Sequence, residues 1–147
     1  MIMTFLLSML PVIELRGAIP VGISEGLSFS QAFIISIIGN LLPVPIIIIF
    51  IRKIFNWIRT KSDWLNDFVI KMEKKAESKR KIIDKSEWWG LVLIVAIPLP
   101  GTGAWTGSLV AAMLDMRLQR AFPAIALGVL IAGVIVMSIT YGAYAMV

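Results

Sequence analysis

Residues 29–51, FSQAFIISIIGNLLPVPIIIIFI, form a 23-residue run without a single charged side chain, and this run constrains the fold more than any other feature. A helix that crosses a bilayer needs about 20 mainly apolar residues. Residues 121–147 form a second uncharged run of sufficient length. The chain is 59% hydrophobic and 16% charged, whereas soluble proteins are about 45–50% apolar and about 25% charged. These features predict an all-α integral membrane protein, with one membrane domain over residues 1–147.

Local signals set the ends of these two spans. Ser28 and Gln31 have the S-x-x-Q spacing of a capping box, which predicts a helix start just before residue 29. Arg52 and Lys53 end the first apolar run. In the second span Pro123 falls in the predicted first turn, where a missing N–H is tolerated.

Two further apolar segments, residues 2–26 and 88–114, are interrupted and do not resemble straight spans. In the first, a short apolar stretch is followed by ELRGAIPVG, which carries two charges, two glycines and a proline. In the second, PLPGTGAWTG places two prolines and three glycines within ten residues. Such residues break helices, and broken backbone is tolerated in a membrane only where protein or a wet cavity satisfies it. We therefore predict two re-entrant helical hairpins.

The charge distribution predicts the orientation. Residues 52–87 contain eleven Lys or Arg and six Asp or Glu, so the positive-inside rule places this segment in the cytoplasm, at a cell membrane crossed more than once. A hairpin over residues 88–114 keeps Arg117 and Arg120 on the same side, and leaves Glu25 on the far side. Residues 57–89 are predicted to form one or more amphipathic helices at the membrane face, because Trp57, Trp64, Phe68 and Met72 fall at helical spacing on one side.

The order of elements predicts an internal repeat. Repeat one, residues 1–51, is a hairpin followed by a span, and repeat two, residues 88–147, has the same order. The basic segment over residues 52–87 joins them. Because each half crosses the bilayer once, the second must be inverted relative to the first, which is a transporter architecture. Gly17-Ala18 and Gly103-Ala104 match in this alignment.

Glu14 and Arg16 are the two charges predicted to lie within the bilayer, where ionisable residues usually mark function. Arg16, beside Gly17, could bind a phosphate or carboxylate group with its planar set of donors. Glu14 could take up and release a proton, since desolvation favours the neutral form of a carboxyl group. The alternative is a structural pair in which the two charges neutralise each other.

The remaining candidate residues offer backbone amides, hydroxyls or an amide side chain. The glycines of the second tip could turn backbone amides toward a ligand, or could instead serve close helix packing, as the Gly103, Gly107 and Ala111 spacing suggests. Asn40 could face a cavity or bond to a neighbouring helix. The candidates for substrate or proton binding, besides Glu14, Arg16 and Gly17, are Asn40, Pro98, Pro100, Gly101, Thr102, Gly103, Trp105 and Thr106.

The chain has no cysteine and no histidine, which removes disulfides, thiolate chemistry and the commonest metal ligand. We expect no enzymatic activity, no metal, no cofactor and no nucleic-acid partner. Membrane lipids, and an anionic or amphipathic small molecule or lipid phosphate, are the expected partners. Because two spans and two hairpins bury little surface, a homodimer is also expected.

ELRGAIP, the basic middle segment and PLPGTGAWTG together resemble the family of putative small multidrug export proteins. That family looks like a compact relative of the DedA (VTT-domain) membrane proteins. The resemblance implies opposed re-entrant hairpins, and proton-coupled export or translocation of a lipid carrier. It also implies that Glu14 and Arg16 correspond to the charges of the first DedA hairpin. The second hairpin departs from that pattern because it carries no charge, and Arg117 and Arg120 are the nearest substitutes. The competing interpretation is a membrane scaffold or assembly protein that transports nothing.

The orientation leads to a labelling prediction. Because the chain lacks cysteine, Glu25→Cys should react with an impermeant thiol reagent from outside intact cells, and Lys75→Cys and Asp115→Cys only after permeabilisation. The opposite pattern at residues 25 and 75 would overturn the orientation, and outside labelling at 115 would exclude the second hairpin.

Overall fold

Helices are the only regular secondary structure in the part of the chain that the structure describes. This computed structural model describes residues 1–61, 63–83, 87–99, 101–114 and 116–147. The helices, in chain order, are α1 (Ile2–Met9), α2 (Glu14–Ser24), α3 (Phe29–Leu41), α4 (Pro43–Arg59), α5 (Asp63–Ile83), α6 (Glu87–Ala96), α7 (Ala104–Met113) and α8 (Leu118–Ala145).

The first half of the chain is a helical hairpin packed on a long helix. A turn over residues 10–13 joins α1 to α2, and both of these short helices pack against α3. The predicted capping box is confirmed: the Ser28 side chain accepts from the Gln31 N–H at 3.2 Å, and the Gln31 side chain accepts from the Ser28 N–H at 3.1 Å. The start of α3 is thereby fixed at the first residue of the long apolar segment.

The first long segment is divided at its prolines. α3 ends at Leu41 and α4 begins at Pro43, which has no N–H to continue the α3 hydrogen-bond ladder. α4 then continues to Arg59, so the helix extends past residue 52, where the sequence predicted the linker to begin. An apolar run therefore marks the part of a helix that can lie in a membrane, while the helix itself can continue as an amphipathic one.

The second half repeats the order of hairpin and long helix. α6 and α7 pack together, and α8 packs most extensively against α6. α8 begins at Leu118, three residues before the predicted start at 121, so Pro123 lies inside the helix rather than in its first turn. This corrects the sequence-based interpretation of Pro123 as a residue at the helix start.

The basic segment is not a single amphipathic helix. Trp57 belongs to α4, whereas Trp64 and Phe68 belong to α5, so the prediction that these aromatic residues share one helix face is wrong for Trp57. The side chain of Met72 lies outside the described part. α5 packs on α4, α6 and α7 and buries Val69 completely, while Trp64 and Phe68 stay exposed.

Two segments are long and apolar enough to cross a membrane, Phe29–Ile51 and Leu118–Ala145. The helices of the hairpins are much shorter: α6 and α7 have ten residues each. Ten helical residues extend about 15 Å, half of a hydrocarbon core of about 30 Å. Each hairpin helix is therefore long enough to reach only the middle of a bilayer.

Glycine allows the closest helix contact in the core. A Cβ atom on Gly128 of α8 would lie 2.6 Å from the Val95 Cβ atom and 2.9 Å from the Val92 carbonyl oxygen on α6. A Cβ atom on Gly107 of α7 would be equally close to α6, at 2.5 Å from the Val95 Cγ2 atom. The structure therefore supports the packing interpretation of Gly107.

Gly128→Ala should destabilise the fold by about 1–3 kcal/mol, because the α6 backbone blocks the added methyl group. Gly142→Ala is the matched control: it lies in the same helix with no atom within 4 Å of its Cβ position, and helix propensity alone favours it by up to about 1 kcal/mol. Thermal unfolding in detergent measures both. Equal melting temperatures for the two variants would contradict the α6–α8 contact.

Candidate functional site at the hairpin junction

The tips of the two hairpins meet, and the charged residues of the first tip make the contact. Glu14 and Arg16 lie in the first turn of α2, and their side chains reach residues 97–105 of the α6–α7 hairpin. These contacts join residues more than 80 positions apart in the sequence. We call this contact the hairpin clasp, consisting of Glu14, Arg16 and residues 97–105.

Arg16 binds the end of α6. Its guanidinium group donates hydrogen bonds to the carbonyl oxygens of Leu99 and of Ile97, the latter at 3.2 Å, and to Thr102 Oγ1 at 2.9 Å. Carbonyl groups at the C-terminal end of a helix lack partners within it and carry partial negative charge. A cation is the group best suited to this position, and Arg16 provides several donors at once.

Glu14 binds the start of α7. Its carboxylate accepts hydrogen bonds from the backbone N–H groups of Trp105, at 3.2 Å, and of Ala104. These are the first two residues of α7, whose N–H groups have no partner within the helix. The side chain is only 3% exposed. The negative charge therefore lies at the positive end of one short helix, and Arg16 lies at the negative end of the other.

The backbone at the clasp is unusual on both sides. Glu14 has a φ of +49°, a conformation that costs an L-residue with a side chain about 1–2 kcal/mol. Gly103 has a φ of +117°, and a Cβ atom there would lie 2.1 Å from Glu14 Oε2. Position 103 therefore requires glycine both for its conformation and for the room that the carboxylate needs.

Most other candidate residues of the second tip hold its shape. Trp105 Nε1 donates to the Met9 carbonyl at 2.9 Å, which ties α7 to the end of α1, and the Thr106 hydroxyl donates to the Gly101 carbonyl at 3.2 Å. Gly101 has a φ of +82°. Pro98 is half-buried, and Pro100 lies outside the described residues.

The candidates outside the second tip are Gly17 and Asn40. Gly17 packs against Ile13, with 2.4 Å between its Cβ position and Ile13 Cγ2. Asn40 is buried in α3, 1% exposed, and no described hydrogen bond joins it to the clasp. The structure thus brings most of the predicted residues together, but it gives Gly17 a packing role and leaves Asn40 apart.

The alternative of a closed pair between Glu14 and Arg16 is not the arrangement in the structure. Among the described side chains, no ion pair within 4 Å joins these two residues. The two charges still interact electrostatically, but each makes its hydrogen bonds to the opposite hairpin.

Among the residues at the clasp that the sequence did not single out, Lys75 is the charged one. Lys75 of α5 reaches the second tip, where its Nζ atom is 3.6 Å from the Cβ position of Gly101, and its charge acts on Glu14. No sequence signal distinguishes it from the neighbouring lysines.

The resemblance had instead suggested Arg117 and Arg120. Both are exposed at the far end of the hairpin, where Arg120 lies 3.7 Å from Glu87 at the start of α6, so neither substitutes at the tip.

Two helical segments long and apolar enough to cross a membrane, taken with the family match, indicate a membrane location. The chain belongs to the family described as putative small multi-drug export proteins, whose family model matches residues 14–135. The matched region begins at Glu14 and includes the whole clasp. No curated protein and no solved structure matches the chain.

The clasp predicts that replacing Gly103 by alanine is unusually destabilising. Gly103→Ala should lower the free energy of unfolding by about 2 kcal/mol or more, because it combines a strained φ with a clash against Glu14. Gly26→Ala is the control, since Gly26 also has a positive φ, +91°, but an open Cβ position.

A double-mutant cycle isolates the contact. Adding Glu14→Ala to Gly103→Ala removes the clash, so the double variant should be more stable than the sum of the two single effects predicts. Thermal or denaturant unfolding in detergent gives all four values. Simple additivity would show that the carboxylate is not packed against Gly103.

Proposed function

We propose that the chain is a small export transporter in which the two hairpins enter the bilayer from opposite sides and meet at the clasp near its middle. The observation that carries this proposal is the pairing of Glu14 with the start of α7 and of Arg16 with the end of α6. Because this contact is made of charges, a change of protonation or an incoming ion can weaken it.

The lengths of the helices support re-entrant hairpins. α1 and α2 have 8 and 11 residues and α6 and α7 have ten each, so none can cross a bilayer alone. Each pair needs partners for its broken backbone, because unsatisfied peptide groups in hydrocarbon cost several kcal/mol each. With one span per half, the second half is inverted relative to the first, as in transporters built from inverted repeats.

The proposed mechanism begins with Glu14. When it takes up a proton, its carboxyl group loses the charge that favours the positive end of α7, and the clasp weakens. Arg16 can then exchange the carbonyl groups of Ile97 and Leu99 for an anionic group of the substrate, with Lys75 as a second cation at the same tip. Release of the proton restores the clasp and displaces the substrate.

The substrate class follows from these charges. Arg16 and Lys75 suit an anionic or amphipathic small molecule, or the phosphate of a lipid carrier, and the resemblance to DedA proteins favours proton-coupled movement. In this proposal the basic segment faces the cytoplasm, and Lys75 of α5 reaches the clasp from that side. Membrane lipids surround the exposed apolar faces, and a homodimer is the expected assembly.

The variant Glu14→Gln tests the proton step. It keeps the shape of the side chain and one acceptor oxygen but cannot lose a proton, so substrate flux should lose its dependence on a pH gradient and fall at least tenfold. The assay is flux of a labelled anionic solute or phospholipid into proteoliposomes. Wild-type flux with an unchanged pH response would remove Glu14 from the mechanism.

Arg16→Lys separates a transporter from a scaffold. Lysine keeps the charge but loses the planar set of donors that binds two carbonyls and a hydroxyl together. We expect a folded protein with most of its flux lost, and Arg120→Lys, at an exposed arginine, as the unaffected control. A scaffold would give no protein-dependent flux in any variant, and unchanged flux in Arg16→Lys would exclude Arg16 as the ligand.

A further inference from the structure

A cavity at the opposite end of the second hairpin from the clasp lies where the start of α6, the end of α7 and the start of α8 meet. It has a volume of about 390 Å³ and is lined by Glu87, Leu114, Met116, Arg117 and Arg120. Pockets that bind small molecules have volumes of about 300–1,000 Å³. Three segments of the chain therefore converge on a cavity large enough for a small polar group.

The cavity lies at the level where both neighbouring helices become uncharged. α6 begins at Glu87 and has no further charge to its end at Ala96, and no charged residue follows Arg120 in the chain. Trp89, shortly after Glu87, is 60% exposed and lies edge-on to Trp88, with 4.8 Å between the ring centroids. Exposed tryptophan is typical of the boundary between lipid headgroups and acyl chains. With α6 and α8 in a membrane, the cavity is therefore at the depth of the headgroups.

The charges around the cavity favour an anion. Within the described part of the chain, its charged lining is two arginines and one glutamate. Arg120 is 3.7 Å from Glu87, which is too far for a hydrogen bond, and the two side chains are 62% and 49% exposed. Ion pairs as exposed as this one contribute little. Arg117 forms no ion pair with a described side chain, so its guanidinium group is free for a ligand and that of Arg120 is held only weakly.

We propose that this cavity binds the phosphate group of an anionic membrane phospholipid, with Arg117 and Arg120 as its ligands. The planar donors of a guanidinium group match the oxygens of a phosphate. Basic pockets between membrane helices on the cytoplasmic side typically bind anionic headgroups. Leu114 and Met116 form an apolar wall for the glycerol part of the lipid, and Glu87 competes with the phosphate for Arg120. The site takes no part in the proposed transport, and lipid binding can be measured without it.

The test is native mass spectrometry of the purified protein in detergent, titrated with phosphatidylglycerol or with phosphatidylcholine of the same acyl chains. Phosphatidylglycerol should bind at least tenfold more tightly, because the choline group brings a positive charge next to the two arginines. Inorganic phosphate at millimolar concentration should not displace it, because phosphate lacks the acyl chains that anchor the headgroup. Equal affinity for the two lipids, or displacement by phosphate, would overturn an anionic lipid as the occupant.

Arg117→Gln and Arg120→Gln should each weaken phosphatidylglycerol binding about tenfold, because each removes charge-assisted hydrogen bonds to the phosphate. Both residues are exposed, so the melting temperature should not change. Lys53→Gln is the matched control, since Lys53 is an exposed cation of α4 that does not line the cavity. Equal weakening by Lys53→Gln would indicate a diffuse attraction to the basic segment and would overturn the location.

Glu87→Gln should have the opposite effect. Without the carboxylate, Arg120 has no competing partner in the cavity, so phosphatidylglycerol should bind about two- to fivefold more tightly than in the wild type. The same titration measures this affinity. An unchanged or lower affinity in Glu87→Gln would overturn the assignment of Arg120 as a ligand of the phosphate.

Discussion

The arrangement of this protein depends on two opposite charges, two residues apart in the sequence, that lie at the ends of two helices with opposite polarity. Glu14 faces the N–H groups at the start of α7, which have no partner within that helix, and Arg16 faces the carbonyls that follow α6. Each charge near a helix end typically contributes 0.3–1 kcal/mol, and up to about 2 kcal/mol where water is partly excluded. The two contributions act in the same direction, since both draw the first hairpin onto the second.

The hairpin clasp also provides partners for backbone groups at the tip of a hairpin. A hairpin of short helices has free backbone groups at its tip, and lipid offers them no partner. In this structure the side chains of one hairpin satisfy the tip of the other, and Trp105 returns a hydrogen bond to the end of α1. In the proposed mechanism, folding and transport use the same groups. The strained φ of Glu14 is tolerated because these contacts hold it in place.

Much of this could be predicted from local sequence, and the reasons are physical. Apolar runs, a capping box and clusters of proline and glycine act within a few residues, so the two long segments, the start of α3 and the breaks of both hairpins were readable. Glu14 and Arg16 stood out because charges in an apolar context are rare. Their partners could not be predicted, because the contacts join residues more than 80 positions apart. Lys75 was missed because nothing in the sequence distinguishes it from the other lysines of the basic segment. The early start of α8 was missed because Arg120 in its first turn suggested a loop.

The most direct test of the clasp is hydrogen exchange at the backbone amides of Ala104 and Trp105. These two amides open α7 and have no acceptor within it, so Glu14 is their protecting group. We expect slow exchange in the wild type and exchange at least tenfold faster in Glu14→Ala, with the amides in the middle of α8 unchanged as an internal control. Equally slow exchange of both amides in the wild type and in Glu14→Ala would contradict it.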